Sequence, residues 1–282
     1  MKKLLTLILT VALSLTAVFS LTACGNKKDP NKIYVGMECG YAPFNFTQMT
    51  EGDGAVKISN AQGYANGYDV MIAKKIAEET GKELVIVQYE FDALVNAVKS
   101  GALDFIIAGM SPTAKRLESV DFSDAYYESQ LVIVVRKDGN FANAANLDDF
   151  NGAKIAAQIG TFHDDALQSQ AAAHGIIPQT PLDTFPALIN ALNSKAIDGY
   201  VAEEPGAIAD CAANAALTYV HLVNNSTGFT ATAEDVQIAI GMKKGSDYKT
   251  TINTALSKLD SAARLQMMTA ATEYATKYAQ NQ

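Results

Sequence analysis

The sequence predicts an α/β protein built from two similar lobes, each an open, mainly parallel sheet flanked by helices. Short apolar strands alternate with amphipathic helices along the body of the chain, which is the pattern of βαβ units. Residues 100–104 (SGALD) are echoed by residues 194–198 (SKAID), each between a predicted helix and a predicted strand. With 282 residues, 49% apolar and 18% charged, the chain is globular and long enough for two medium-sized domains.

An export signal precedes the folded body. Lys2 and Lys3 are followed by an apolar run over residues 4–21, which leads into a Leu-Thr-Ala-Cys sequence ending at Cys24. A basic start, an apolar stretch and small residues at the cleavage point are typical of a secretory signal, and the final four residues resemble a bacterial lipobox. We predict that residues 1–23 are removed and that residues 24–32 form a linker, lipid-anchored through Cys24. A transmembrane anchor is the alternative, because the run is just long enough to span a bilayer.

Charge and cysteine content exclude several classes of function. The net charge is −8, and it becomes −10 when the two signal lysines are lost, which argues against a nucleic-acid binder. The three histidines (His163, His174 and His221) are scattered, as structural histidines usually are, and no Cys/His spacing indicates zinc. We therefore expect no metal and no cofactor. Cys39 and Cys211 could form a disulfide in an exported protein or remain free thiols.

The strands and helices of the body follow in a regular order. A glycine, Gly81, stands where the first helix should end, and Asp92 stands where the second should begin. The predicted strands cover residues 33–37, 84–89, 104–108, 154–157, 176–177 and 197–202. The predicted helices cover residues 67–80, 92–100, 162–174 and 186–194, with further helices over 247–280.

Six short motifs occur in a characteristic order along this body. They are YAPF at 41–44, GYDV at 67–70, AGMSPTAKR at 108–116, VDFSDAYY at 120–127, QIGTF at 158–162 and AEEP at 202–205. Each motif alone is weak, but their order and spacing, behind a lipobox, resemble the polar amino-acid-binding family of ABC-importer solute-binding proteins. The resemblance extends from residue 33 to the C-terminus.

The resemblance implies a type II periplasmic-binding-protein-like clamshell that closes on a free amino acid. Lobe 1 would comprise residues 33–132 and 236–282, and lobe 2 would comprise residues 133–235. The crossovers between the lobes would lie near 132–137 and 224–236. The C-terminal helices would pack back onto lobe 1.

Arg116 is the candidate partner for the ligand carboxylate. Its planar guanidinium can form two charge-assisted hydrogen bonds, while Ser111 and Thr113 just before it can supply hydroxyl groups. The alternative is that Ser111, as a helix N-cap, and Thr113 serve only the helix start, and that Arg116 pairs with Glu118 or Asp121. The resemblance favours binding, and it adds the neighbouring backbone to the ligand-binding set, namely Gly109 and Met110. The other two arginines, Arg136 and Arg264, are expected to be surface charges.

The second lobe should supply the remaining contacts to the amino-acid backbone. The resemblance implies that Gly160, Thr161 and Phe162 bind the carboxylate through backbone N–H groups, although an ordinary strand–helix turn would have the same sequence. Glu203 occupies the position where the family usually has an aspartate that contacts the ligand ammonium. Its neighbour Glu204 is the competing candidate, but we expect it to start the following helix.

The side-chain pocket should determine which amino acid binds. Tyr41 and Phe91 match positions where relatives sandwich the ligand side chain between aromatic faces, whereas Phe44 is assigned to the core. Glu38 lies where lysine- and arginine-binding relatives carry an acid, and a carboxylate there would favour a cationic ligand. A solvated loop acid is an equal alternative for Glu38.

These residues predict a substrate-binding lipoprotein of an ABC importer rather than an enzyme. The expected ligand is a free cationic L-amino acid, arginine before lysine, and the expected partner is a membrane permease. The protein would be a monomer, lipid-anchored to the outer face of the cytoplasmic membrane. Two alternatives remain: a neutral polar ligand such as glutamine, or a cyclohexadienyl-dehydratase-like enzyme using Glu203 or Glu38 as general acid.

Overall fold

A computed structural model of the protein describes residues 28–279, in which two five-stranded sheets form the centres of two lobes. The predicted signal sequence and the lipid-attachment residue Cys24 lie outside the described residues. Within the described part, none of the helices has the length and apolar character that a membrane span requires.

The elements are numbered here in chain order. The strands are β1 (Lys32–Met37), β2 (Gly40–Tyr41), β3 (Asn45–Gln48), β4 (Val56–Lys57), β5 (Tyr64–Asn66), β6 (Glu83–Gln88), β7 (Phe105–Ile106), β8 (Val120–Glu128), β9 (Leu131–Arg136), β10 (Lys154–Ala156), β11 (Ile177–Pro178), β12 (Gly199–Glu203), β13 (Leu217–Val220) and β14 (Gln237–Lys243). The helices are α1 (Tyr68–Thr80), α2 (Leu94–Ser100), α3 (Ala114–Leu117), α4 (Phe162–Gln170), α5 (Phe185–Asn193), α6 (Glu204–Ala213), α7 (Ala233–Val236), α8 (Tyr248–Ser257) and α9 (Ser261–Ala279).

The two large sheets have the same topology. In lobe 1 the order is β6-β1-β7-β14-β8, and in lobe 2 it is β11-β10-β12-β9-β13. The first three strands of each sheet are parallel, while the last two run antiparallel to their neighbours. This confirms the predicted α/β class with two similar, mainly parallel lobes. A smaller sheet of order β2-β3-β5-β4, which the sequence did not predict, is attached to lobe 1.

The repeated SxxxD segments occupy equivalent places in the two lobes. Asp104 accepts a hydrogen bond from the backbone N–H of Tyr34 in β1 (2.8 Å), and Asp198 accepts one from Lys154 in β10 (2.9 Å). In both lobes the aspartate therefore joins the end of a helix–strand connection to the second strand of the sheet. The echo in the sequence reflects this shared supersecondary unit.

The chain crosses between the sheets at two adjacent segments. Strand β8 of the lobe 1 sheet ends at Glu128, and strand β9 of the lobe 2 sheet begins at Leu131. The first crossing therefore occupies residues 129–130. The sequence predicted this crossover near residues 132–137, but residues 132–136 belong to strand β9. The return runs from β13 to β14 through α7, and the backbone N–H of Ser129 donates to Val236 O at 3.1 Å. The two crossings thus lie side by side.

Helix ends agree only partly with the predictions. Gly81 caps α1 in the left-handed conformation (φ 65°), as predicted, because glycine adopts this conformation without steric cost. Asp92 does not cap α2, which begins after a 3₁₀ turn at Phe91–Ala93. Ser111 is not the cap of α3 either; Thr113 takes that place, and its hydroxyl accepts from the N–H of Arg116 at 3.4 Å.

Two arginines that were expected at the surface have structural roles instead. Arg136 is largely buried and donates to the carbonyls of Leu192 and Ile197. Arg264 donates to three backbone carbonyls, those of Leu259, Ala125 and Leu256. Their long side chains reach backbone carbonyl groups, an arrangement that charge and position in the sequence do not reveal.

The C-terminal helices contact both lobes. Helix α8 packs on α1 and β8 of lobe 1, as predicted for the C-terminal segment. Helix α9 contacts α1 of lobe 1 and also α6 of lobe 2, so it bridges the lobes rather than covering one of them.

Candidate functional site

A narrow pocket with a cavity volume of about 10 Å³ lies between the two lobes; it is called here the inner pocket. Its lining is shared between the lobes and combines aromatic, charged and backbone-exposing residues. Lobe 1 contributes Tyr41, Phe91, Gly109, Ser111 and Arg116, and lobe 2 contributes Gln158, Thr161, Phe162, His163, Phe185 and Glu203. A more open outer crevice continues from it, sharing Phe91, Arg116 and Phe162. Neither lobe could form this site alone.

Most of the predicted ligand-binding residues meet at this place. Eight of them line the inner pocket: Tyr41, Phe91, Gly109, Ser111, Arg116, Thr161, Phe162 and Glu203. Met110, Thr113 and Gly160 line the outer crevice instead. Glu38 lines neither space but is hydrogen-bonded to Gln158, which does line the inner pocket. The individual roles of these residues stay predictions.

Arg116 stands where the inner pocket meets the outer crevice. Its Nη1 donates to Ser111 O of its own lobe (2.8 Å), and its Nη2 donates to Gly160 O of the other lobe (2.9 Å). The guanidinium carbon lies 5.3 Å from the ring centroid of Phe91, which gives a cation–π contact. Arg116 therefore does not pair with Glu118 or Asp121. The bonds hold its planar fork between the lobes, and further N–H donors remain for a bound anion.

The aromatic residues form a stack that crosses the interface. The ring of Tyr41 lies 4.1 Å from that of Phe185 of lobe 2, nearly parallel at 11°, and 5.2 Å from that of Phe44. Phe44 is fully buried, in accord with its assignment to the core. Both faces of Tyr41 are thus covered, and Phe91 faces Arg116. A ligand side chain between Tyr41 and Phe91 would require Phe185 to shift.

Glycine is favoured at position 109 by the backbone conformation and by the nearby ring of Tyr41. Gly109 has a positive φ of 60°, which favours glycine, and a Cβ atom would lie 3.2 Å from the ring of Tyr41. Gly160 on the opposite lobe also has a positive φ, 73°, immediately before α4. Thr161 is the N-cap of that helix, and its hydroxyl accepts from the N–H of Asp164. These two strand–helix turns present backbone polar groups to the crevice from opposite sides.

A hydrogen bond joins Glu38 of lobe 1 to Gln158 of lobe 2. Gln158 Nε2 donates to Glu38 Oε2 at 2.9 Å and also to Asp183 O at 2.9 Å. The other carboxylate oxygen, Glu38 Oε1, is buried without a hydrogen-bond partner among the described residues. Burial raises the pKa of Glu38 to about 7, against the opposing effect of the Gln158 bond. Glu38 is therefore a buried acid rather than a solvated loop residue.

Glu203 ends strand β12 and pairs with His163 of helix α4. The distance between His163 Nε2 and Glu203 Oε1 is 2.9 Å, and both side chains are buried. Burial raises the pKa of Glu203, while burial and the nearby charge of Arg116 lower the pKa of His163. Glu204, by contrast, starts α6 as predicted and accepts from His221 at 2.8 Å. Glu203 is the carboxylate that faces the pocket.

Three residues of the inner pocket were not selected from the sequence: Gln158, His163 and Phe185. Gln158 and His163 flank the QIGTF turn, so their proximity to the motif was an available signal. Scattered histidines are usually structural, but His163 lines the inner pocket. Phe185 follows the helix cap Thr184 and looked like one more apolar residue of an amphipathic helix. Only the approach of the two lobes brings it against Tyr41.

The two cysteines that could have formed a disulfide are free thiols. Cys39 is buried and lies beside the site in lobe 1, whereas Cys211 is half-buried in helix α6 of lobe 2. Among residues 28–279, no group of three or more metal-ligating side chains is close enough to hold an ion.

Two similar α/β lobes with a polar crevice between them define a type II periplasmic binding protein. The chain belongs to the bacterial extracellular solute-binding proteins, family 3, whose family model matches residues 33–270. This confirms the family that the six motifs indicated, which is a family of solute-binding proteins.

Individual relatives match most of the chain. The arginine-binding extracellular protein ArtP of Bacillus subtilis is 28% identical over 93% of this chain and 95% of its own length. An amino acid ABC transporter substrate-binding protein from Streptococcus pneumoniae, solved with L-arginine, is 27% identical with a TM-score of 0.75, covering 86% of this chain and 94% of its own. An ancestral arginine-binding protein solved with glutamine is 27% identical with a TM-score of 0.67, covering 85% and 96%.

Proposed function

We propose that this protein captures a free cationic amino acid, arginine before lysine, and presents it to the permease of an ABC importer. The two lobes close around the ligand, because carboxylate, ammonium and side-chain contacts are divided between them. The ligand shifts the open–closed equilibrium by its greater affinity for the closed form. The closed form is the shape that the permease recognises.

The observation that carries this proposal is the charge arrangement of the crevice. One guanidinium, Arg116, and two buried carboxylates, Glu38 and Glu203, lie at or beside the inner pocket. Within residues 28–279, one oxygen of each carboxylate has no hydrogen-bond partner. A buried carboxylate with an unpaired oxygen costs free energy. A ligand with two cationic groups and one carboxylate would offset that cost, because it would pair with Glu38, Glu203 and Arg116.

Each group then has a distinct role. The ligand carboxylate binds Arg116, with the N–H groups that begin at Thr161 on the opposite side. The α-ammonium binds Glu203. The guanidinium or ammonium of the ligand side chain lies near Glu38 and Gln158. Relatives with names or bound ligands that specify arginine support this assignment.

The test is a thermal-shift and calorimetric screen of the mature protein against the twenty amino acids, ornithine and citrulline. Arginine should bind most tightly, and a ligand at 100 times its Kd should stabilise the fold by about 2.7 kcal/mol. Citrulline is the matched control, since it replaces the guanidinium by a neutral group of similar shape. Equal binding of citrulline and arginine would reject the cationic preference.

A neutral polar ligand such as glutamine is the second candidate. It is favoured by the raised pKa of Glu38, about 7, since a protonated Glu38 carries no charge to attract a cation. A relative also accommodates glutamine. Glutamine binding tighter than arginine at pH 6 and pH 8 would establish this alternative.

A dehydratase activity on the same pocket is tested directly. Incubation with arogenate or prephenate should leave both compounds unchanged, because in the proposed function Glu203 binds a ligand ammonium and does not donate a proton to a leaving group. Turnover that is lost in Glu203→Gln would instead make the protein an enzyme.

We also propose export and lipid anchoring through Cys24, with residues 1–23 removed. The basic start, apolar run and lipobox-like sequence support this localisation on the outer face of the cytoplasmic membrane. Cells expressing the full chain should incorporate labelled palmitate and retain the protein in the membrane fraction. Cys24→Ser should abolish the label, and release of the wild type into the medium would contradict the proposal.

A further inference from the structure

We infer that His163 is a positioning residue that holds Glu203 ready for the ligand ammonium, an inference that rests on the proposed function. His163 Nε2 lies 2.9 Å from Glu203 Oε1, and both residues line the inner pocket. Oε2 of the same carboxylate is buried and has no hydrogen-bond partner in the described structure. One oxygen is thus engaged by histidine, while the other is left for an N–H donor in the pocket.

The ionisation states of Glu203 and His163 determine which of the two side chains donates the hydrogen bond. Glu203 must be ionised to bind an ammonium group, although burial favours its protonated form. His163 is kept neutral by burial and by the positive charge of Arg116. A neutral imidazole has one N–H, and placing it on Nε2 lets His163 donate to the carboxylate. His163 Nδ1 is then the acceptor nitrogen, and it is buried with no partner among the described side chains and backbone.

The surroundings leave the pair screened from water. The edge of the Phe185 ring packs against His163 with 6.2 Å between ring centroids. The hydroxyl of Tyr41 accepts from the backbone N–H of Glu203 at 3.4 Å. Arg116 is the positive charge that acts on His163, and Asp165, one turn along α4, acts on Arg116. In such surroundings one hydrogen bond to a carboxylate has a large effect on its ionisation.

The contact between Glu203 and His163 depends on the length of the glutamate side chain. Glu203 is the last residue of β12 and His163 is the second residue of α4, so the carboxylate must reach across between two elements. Glu203→Asp withdraws the carboxylate by about 1.5 Å, the length of one C–C bond, which breaks the contact. Loss of His163 should then have little further effect in a Glu203→Asp background, and the two substitutions should be non-additive.

The experiment is calorimetric titration of arginine between pH 6 and pH 9 into the wild type, His163→Gln and His163→Leu. His163→Leu should weaken binding about tenfold or more at pH 7.5 and displace the pH-dependent rise in affinity to higher pH, since Glu203 loses its donor. His163→Gln retains an amide N–H and should recover most of the affinity. His174→Gln is the matched control, because its partner Asp148 is an exposed residue of lobe 2.

An affinity and pH profile of His163→Leu equal to those of the wild type would overturn the inference. So would a His163→Gln variant as defective as His163→Leu. If the leucine variant fails to fold, the glutamine variant and the double-mutant cycle with Glu203→Asp carry the test.

A second measurement does not depend on any ligand. ¹⁵N NMR of the histidine rings at pH 9, with His163→Gln to assign the signal, should show the neutral Nε2–H tautomer. The Nδ1–H tautomer would overturn the inference even where arginine binds. A wild type that binds no amino acid but has the Nε2–H tautomer would reject the proposed function and leave the hydrogen bond established.

Discussion

Gln158 donates a 2.9 Å hydrogen bond to Glu38 and thereby ties the acid of one lobe to the other lobe. The same amide nitrogen donates to Asp183 O, so Gln158 is itself held by its own lobe. The environment of Glu38 consequently depends on how closely the lobes approach. Selectivity for a cationic side chain would be completed only as the lobes close.

The first prediction concerns this pair. Glu38→Gln should lower arginine affinity about tenfold and change glutamine affinity little, because it removes the negative charge while keeping the shape of the side chain. Calorimetry with both ligands measures the ratio. Glu118→Gln, an exposed acid on the same lobe, is the control. An unchanged arginine-to-glutamine ratio would show that Glu38 does not set the preference.

The second prediction concerns Arg116. Arg116→Ala should reduce binding of every amino acid by about a hundredfold or more, since charge-assisted bonds to a carboxylate contribute roughly 1.5–3 kcal/mol each. Arg116→Lys should recover only part, because an ammonium lacks the planar fork. Lys115→Ala, its exposed neighbour, is the control. A loss restricted to arginine, with glutamine unaffected, would place Arg116 outside the carboxylate site.

The third prediction uses the close approach of Gly206 to Tyr41 across the interface. A Cβ atom on Gly206 would lie 2.9 Å from Tyr41 Cε2, so Gly206→Ala should displace the ring and weaken ligand binding several-fold. Gly206 lies in α6, where alanine is favoured over glycine by about 1 kcal/mol. Thermal stability should therefore be largely retained.

The matched control for that variant is Ile208→Ala, an exposed position of the same helix. Unchanged affinity in Gly206→Ala would mean that the lobes bind ligand without bringing Tyr41 this close to α6.

The fourth prediction concerns stability and pH. Burial raises the pKa of Glu38 and Asp210 to about 7 and that of Glu203 to about 8, from model-compound values near 4. At a pH between the unfolded-state and the folded-state pKa values of these groups, the folded protein retains protons that the unfolded chain has lost. The free energy of unfolding of the ligand-free protein should therefore fall as pH rises from 6.5 to 8.5. The lowered pKa of His163, about 3, has the opposite effect, which acts mainly below pH 6.5 and fades by about pH 7.5.

Urea unfolding at pH 6.5, 7.5 and 8.5 measures this slope. Glu38→Gln should be less pH-dependent than the wild type, because the glutamine cannot ionise. Stability that rises over this range would show that these carboxyl groups are ionised in the folded protein.

Much of the fold follows from local sequence patterns. The alternation of apolar strands and amphipathic helices predicted both sheets, and the repeated SGALD and SKAID segments predicted two equivalent units whose aspartates, Asp104 and Asp198, do have equivalent bonds. Gly81 ended its helix as expected. These features depend on neighbours in the sequence, so the sequence carries them. The caps at Asp92 and Ser111 failed because 3₁₀ geometry and a two-residue shift are not decided by residue type alone.

The candidate site was predictable where motifs mark it and not where the lobes meet. Arg116, Tyr41 and Glu203 lie in short recognisable segments, and they line one pocket. His163, Gln158 and Phe185 were missed because their partners, Glu203, Glu38 and Tyr41, lie far along the chain.

By itself, the sequence determined the two-lobed α/β class, the family, the export signal as an expectation, and most residues of the crevice. Only the tertiary structure decided that Glu38 is buried behind Gln158, that Glu203 is paired with His163, and that Arg136 and Arg264 bind carbonyl groups. The physical reason is that burial and pairing are set by contacts between distant segments. Those contacts determine whether a carboxyl group holds its proton, and a linear pattern does not contain them.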